Sequence, residues 1–224
     1  MHIRFRTPAL AMAVLGAASL LRADDLPMSV GLGAVVPFGG AKQFVGSTTG
    51  ISLEFMEAFD LTYGDLIRMR LGYFDLKAPQ STPQTVTFPG QAPASYPYSS
   101  SDELFGFTYG ADYIHPFHSG TYVLGGLGYA YLTANRKGTL NLTAAGAGPT
   151  GANYDANALV PYATLGGGWQ ANSSLALEAR YFYSSIKAQP RGLTYTSANA
   201  PSGGVAQFNG VNVTTLTLGL VVKF

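Results

Sequence analysis

Apolar and polar side chains alternate along most of the chain, with a period of two. In residues 174–186, Leu175, Leu177, Ala179, Tyr181 and Tyr183 fall on one face, and Ala176, Glu178, Arg180, Phe182 and Ser184 on the other. In 66–76, Ile67, Met69, Leu71 and Tyr73 oppose Arg68, Arg70 and Gly72. In 103–114, Phe105, Phe107, Tyr109, Ala111 and Tyr113 oppose Gly106, Thr108, Gly110 and Asp112, and in 50–59 Ser52 and Glu54 oppose Ile51, Leu53 and Phe55. Successive side chains of a strand point to opposite faces. Each stretch therefore predicts a strand with one apolar face and one face of small, polar and charged groups. Eight strands are predicted, over 28–36, 50–59, 66–76, 103–114, 121–133, 159–170, 174–186 and 212–224. Beyond the N-terminus no helical stripe is visible, and no run reaches the roughly 20 apolar residues of a membrane helix.

The links between these strands alternate in length. Residues 60–65, 115–120 and 171–173 are short and carry the Asp, Asn, Gly or Pro of tight turns. Residues 37–49, 77–102, 134–158 and 187–211 are longer, and the second of them is rich in proline and serine. Short turns at one end and long loops at the other predict an antiparallel up-and-down meander. In an outer-membrane barrel the short turns are periplasmic and the long loops extracellular.

The N-terminus changes the picture of where the chain goes. Arg4 and Arg6 precede an apolar run from Ala9 to Leu21, and Leu21-Arg22-Ala23 ends on a small residue before Asp24-Asp25. This is the three-part pattern of a secretory signal. The expected organisation is a signal peptide over 1–23 and one barrel domain over 24–224. Losing Arg4, Arg6 and Arg22 takes the 13 basic residues to 10, against 12 acidic ones. The mature chain is then mildly acidic, and nothing in it points to nucleic acid.

Composition narrows the class. Charged residues make up 11% of the chain, against roughly 25% in ordinary soluble domains. Glycine is plentiful at 28, with 14 tyrosines and 13 phenylalanines. The absence of cysteine excludes disulfide staples, zinc–thiolate sites and cysteine nucleophiles. Alternation alone does not say which face is inside, since a soluble ligand-binding barrel alternates equally well. The mixed face carries the glycines and charges that suit a narrow, filled interior. On the apolar face, aromatics stand near strand ends, at Phe55, Phe59, Tyr73, Tyr129, Tyr131, Tyr183 and Phe224, as in interfacial girdles. The expected fold is an all-β, eight-stranded antiparallel transmembrane barrel.

The chain ends with Leu216, Leu218, Leu220, Val222 and Phe224 at every second position. Here, and around Pro161–Trp169 and Leu175–Tyr183, it resembles the small bacterial outer-membrane barrels such as the OmpA membrane domain, OmpX and OmpW. The resemblance covers the whole mature chain as a strand pattern and implies a bacterial outer-membrane location. It also implies that the last strand is the signal read by the barrel-assembly machinery. The expected partners are that machinery, outer-membrane lipids and an extracellular ligand on the long loops.

Candidate chemistry is sparse. The inward charges are expected to be Glu54, Arg68, Arg70, Asp112, Glu178, Arg180 and Lys223. Buried charges must be paired, so these residues predict either an ion-pair network holding the lumen shut or a gated solute path. After the signal, His115 and His118 are the only histidines, and both fall on a short turn where exposed residues are expected. Asp102 and Glu103 are adjacent and point to opposite faces. Gly166-Gly167-Gly168 reads as close-packed strand, not a phosphate loop. In the long loops Phe88, Tyr96, Tyr98, Tyr195 and Phe208 are candidates for an adhesive surface. No catalytic group, cofactor or metal is expected. The leading expectation is a non-enzymatic barrel with a structural or surface-interaction role. The alternatives are a narrow channel for small solutes, a lipid-modifying outer-membrane enzyme, and a soluble ligand-binding barrel.

Overall fold

The structure is a computed structural model that describes residues 28–143, 148–195 and 203–224. The predicted signal, 1–23, lies outside the described residues. In chain order the elements are β1 (Met28–Phe38), α1 (Gly39–Val45), β2 (Gly50–Asp60), a 3-10 turn (Thr62–Gly64), β3 (Leu66–Ser81), β4 (Gln84–Thr87), β5 (Ala94–Tyr96), β6 (Tyr98–Pro116), β7 (Thr121–Asn141), β8 (Pro149–Asn172), β9 (Leu175–Ile186), β10 (Gln189–Gly192), β11 (Thr194–Tyr195), β12 (Val205–Phe208) and β13 (Val211–Lys223).

Eight strands close a ring in the order β1-β2-β3-β6-β7-β8-β9-β13, and β13 returns to β1. Every neighbour is antiparallel, and the closing pair aligns Gly33 with Gly219. Closure supplies each backbone N–H and C=O of the wall with a partner and leaves no edge, as hydrocarbon requires. The eight expected strands are these eight.

The outer face is apolar. Leu32, Ile51, Leu71, Leu127, Leu159 and Leu165 are each 60–71% exposed. Aromatics flank them: Tyr109 and Tyr129 stack at 5.9 Å, and Tyr73 and Phe107 lie 5.0 Å apart. So extensive an apolar surface would be a liability in water, and it is what a bilayer solvates.

Two expectations need correction. Residues 77–102 and 134–158 are largely strand. β6, β7 and β8 reach 19, 21 and 24 residues, whereas a tilted strand crosses a bilayer in about 9–11. In these extensions both faces are polar enough to hide the alternation, yet pairing continues from Asp102↔Arg136 to Tyr98↔Leu140. The other correction is that residues 37–49 contain a helix, α1, where none was visible. Seven residues are too few to show a stripe. Ala41, Phe44 and Val45 are its buried side chains, spaced as one helical face requires.

Above the barrel a second sheet, β10-β12-β4-β5, joins two of the long loops into one cap. At the opposite end the β2–β3 link turns through Tyr63 at φ 72°, a left-handed conformation that non-glycine residues seldom adopt.

Candidate functional site

The lumen is built in layers, each set by inward positions of the ring strands. Near the short-turn end lie Arg68 and Arg70 of β3, Asp112 of β6, Glu178 and Arg180 of β9, and Glu54 of β2, all lumen-facing and all buried except the less enclosed Glu54. Arg68 is paired in register with Asp112. It donates to Asp112 at 3.0 Å and to Glu178 at 2.8 Å across the lumen. Arg70 donates to Glu54 at 3.0 Å and to Tyr162 Oη at 3.2 Å. Arg180 donates to both Glu54 oxygens at 2.6 Å and also pairs with Glu178. Asp112 lies 3.4 Å from both Arg70 and Arg180, and Tyr122 Oη donates to Glu178 at 2.9 Å.

Three guanidiniums therefore face three carboxylates, and the layer is neutral. Arginine's planar fork lets each one hold more than one oxygen. Lys223 stands apart at the mouth: its Nζ donates to Gln170 Oε1 at 2.7 Å, and it joins no ion pair among the described residues. Glycines make the room. A Cβ on Gly126 would overlap the Asp112 carboxylate, and one on Gly72 would crowd Thr108 Oγ1. Gly166 lies against the backbone of β9, and Gly168 against the Tyr122 ring. The void beside Glu54 and Arg180 is about 10 Å³, space for one water at most.

The next layer is apolar. Phe74, Leu76, Leu104, Leu132, Tyr162 and Phe182 fill the lumen, and Phe44 of α1 packs into the same cluster. Phe182 meets Phe74 at 5.6 Å and Tyr162 at 5.1 Å between ring centroids. Sequence reasoning missed this layer. Its signal was present in Phe74, Leu76, Leu104 and Leu132, large residues on the nominally polar face.

A polar clasp sits above. Arg136 of β7 donates through Nε to Asp102 of β6 at 2.8 Å, and through Nη1 to Gln84 of β4 at 3.1 Å. Its guanidinium lies 5.0 Å from the Phe44 ring centroid. Ser100 donates to Asp102 at 2.6 Å, Tyr154 donates to Gln84 at 2.9 Å, and Gln84 Nε2 donates to the Gln207 carbonyl at 3.0 Å. One guanidinium thus ties together two wall strands, the cap sheet and α1. Asp102 points inward and is fully buried, while Glu103 faces out and accepts from Asn135 at 3.1 Å. Arg136 was not among the candidates because it fell in a nominal loop. Beyond the clasp, Val86, Phe88, Tyr96, Tyr98, Leu140 and Leu142 form a second apolar cluster under the cap. Tyr195 packs against that cluster, and Phe208 belongs to the lumen layer.

His115 and His118 lie at the short-turn end. His115 Nδ1 is 2.7 Å from Asp65 Oδ1, and Tyr113 Oη donates to the same carboxylate. These two bonds hold the Asp65 carboxyl below its ordinary value, the Tyr113 bond contributing most. Of the terminal row, Leu216, Leu218, Leu220 and Val222 face outward on β13 and Phe224 follows the strand, its N–H donating to the Met28 carbonyl at 2.9 Å.

A closed eight-stranded barrel with an apolar belt, short turns at one end and capped hairpins at the other defines the class: this is a transmembrane β-barrel of the bacterial outer-membrane type. Solved structures agree. A major outer membrane protein from Thermus thermophilus aligns with a TM-score of 0.60 at 13% identity, over 89% of this chain and 99% of that one. The outer membrane protein OprG from Pseudomonas aeruginosa aligns at 0.56 and 18% identity, over 89% and 95%. Comparison of the sequence with protein-family models and with curated proteins finds no match.

Proposed function

We propose that the protein is a sealed, non-enzymatic barrel of the outer membrane that acts through its outer surfaces, in a structural or surface-interaction role. The observation that carries this reading is the succession of three blocks in one lumen: a neutral ion-pair layer, an aromatic and aliphatic layer, and the Arg136 clasp under the cap. A solute would have to break all three. The six-residue network of Glu54, Arg68, Arg70, Asp112, Glu178 and Arg180 acts as the lower seal, with Lys223 beside it. The terminal row ending at Phe224 serves as the signal for barrel assembly. The cap sheet and the tips of the long hairpins are the surface offered to an extracellular ligand.

The test is planar-bilayer recording of the full chain. No discrete conductance is expected from the wild type. None is expected from Arg136→Ala either, because the two lower layers remain. A stable unit conductance from the wild type would overturn the reading in favour of a narrow channel. Acyl-chain profiling of lipid A from cells with and without the protein addresses catalysis, with identical profiles expected.

A further inference from the structure

The outer wall carries an open apolar depression of about 1050 Å³ across the β1–β13 seam. Register explains its floor. Ala34, Leu218, Ala179 and Gly167 stand side by side on the neighbouring strands β1, β13, β9 and β8. Three of the four are the smallest residues available, so the row is recessed. Immediately below it the row is large and ends on Trp169, which pairs with Leu177. The inner face of the same seam is also small: a Cβ on Gly33 would meet Ser52 and Thr217 at 2.8 Å. The wall can therefore lie close to the lumen contents and leave space outside.

Leu32 and Ala34 occupy the middle of β1, far from both strand ends. The depression is thus continuous with the lipid-facing belt. Its one charged lining residue, Glu178, points inward and is held by Arg68 and Arg180. The lining hydroxyls are those of Ser52, which is buried, and of Tyr73 on β3 at the edge. Apart from these and Glu178 the lining side chains are hydrocarbon and recognise hydrocarbon. A second copy of the chain fits poorly, because closed dimers place the same patch against itself. Two facing hollows would leave a void, with the loss of dispersion contacts that voids carry.

We propose that this depression binds an acyl chain of a bilayer lipid, selected by the chain and not by the headgroup. The proposal goes beyond the sealed-barrel reading and holds whether or not the lumen conducts. The single tryptophan of the chain, Trp169, borders the site and reports on it.

The full chain would be purified from membranes in mild detergent and weighed by native mass spectrometry. It would be compared with Ala34→Phe and Ala179→Phe, which fill the floor, and with Ala111→Phe, an outward alanine on β6 away from the depression. Heat-modifiable gel mobility checks that each variant folds. A retained lipid mass is expected in the wild type and Ala111→Phe, reduced at least about tenfold in both filling variants. After loading with brominated-chain lipids and detergent washing, Trp169 fluorescence is expected to stay quenched in the wild type and recover in Ala34→Phe. Retention should rise with chain length and stay level across headgroups. The proposal is overturned by a wild type that keeps no lipid, by equal retention in the filling variants, by headgroup selectivity, or by a dimer mass lost on filling.

Discussion

The two halves of the lumen are closed by opposite means. The lower half is a neutral set of three arginines and three carboxylates, held by strands that meet across the ring. The upper half is hydrocarbon, tied down by one guanidinium that reaches out of the wall to the cap. A buried ion network adds little net stability over an apolar filling, yet removing one member strands its partners. The lower half is therefore brittle. An apolar layer loses only the contacts of the residue removed and the void it leaves, so the upper half should fail gradually.

The largest effect expected is from Arg180→Ala, which leaves three lumen carboxylates to share two guanidiniums. A loss of about 3–5 kcal/mol is expected, read as the urea midpoint of the heat-modifiable form in lipid vesicles. Replacing Arg180 together with Glu54 by apolar residues, which keeps two arginines against two carboxylates, should recover most of it. If the single variant is neutral, the contrast between the halves is lost.

Arg136→Ala leaves the fully buried Asp102 with the Ser100 hydroxyl as its remaining side-chain partner, a cost of about 3–5 kcal/mol by the same argument, and its effect should be local. Hydrogen exchange is expected to quicken in β4 and β12 while the ring strands stay protected. Exchange that rises equally in the ring would mean the clasp is part of the barrel's own stability. Next comes Leu104→Ala in the fully buried upper layer, with a cost of roughly 2–5 kcal/mol in the urea assay. At the short-turn end, Tyr63→Gly should stabilise by roughly 1 kcal/mol, since glycine adopts the left-handed conformation freely. An unchanged midpoint would show that the turn carries no strain.

The smallest effect concerns Asp65, on that same turn. Its carboxyl is held below the ordinary value of 3.8 by the bonds from Tyr113 and His115. A depressed carboxyl favours the folded state above its unfolded value, and the contribution is lost as pH falls through the folded value. Wild type and Asp65→Asn should therefore differ slightly at neutral pH, begin to lose that difference below about pH 3.8 and converge in strong acid. A difference that persists in strong acid would assign the effect to geometry instead of charge.

Strand number, chain direction, face and lower charges were legible because each depends on neighbours two positions away. Arg68, Arg70, Glu178 and Arg180 sit on the small-residue face of strands whose other face is plainly apolar. The upper half was less legible. Its strands are polar on both sides, so Asp102 and Arg136 looked like loop residues. What reveals them is pairing across strands, Asp102 opposite Arg136, which no single stretch displays.

The sequence by itself determined the eight-stranded meander and its apolar exterior, because alternation is a local property of an extended chain. Only the tertiary structure decided that Lys223 stands outside the neutral network, that seven residues of the first loop fold into a helix, and that two loops join into a capping sheet. Each of these depends on which surfaces meet when the ring closes. Closure brings together residues as distant as Glu54 and Arg180, and that proximity is written in no segment of the chain.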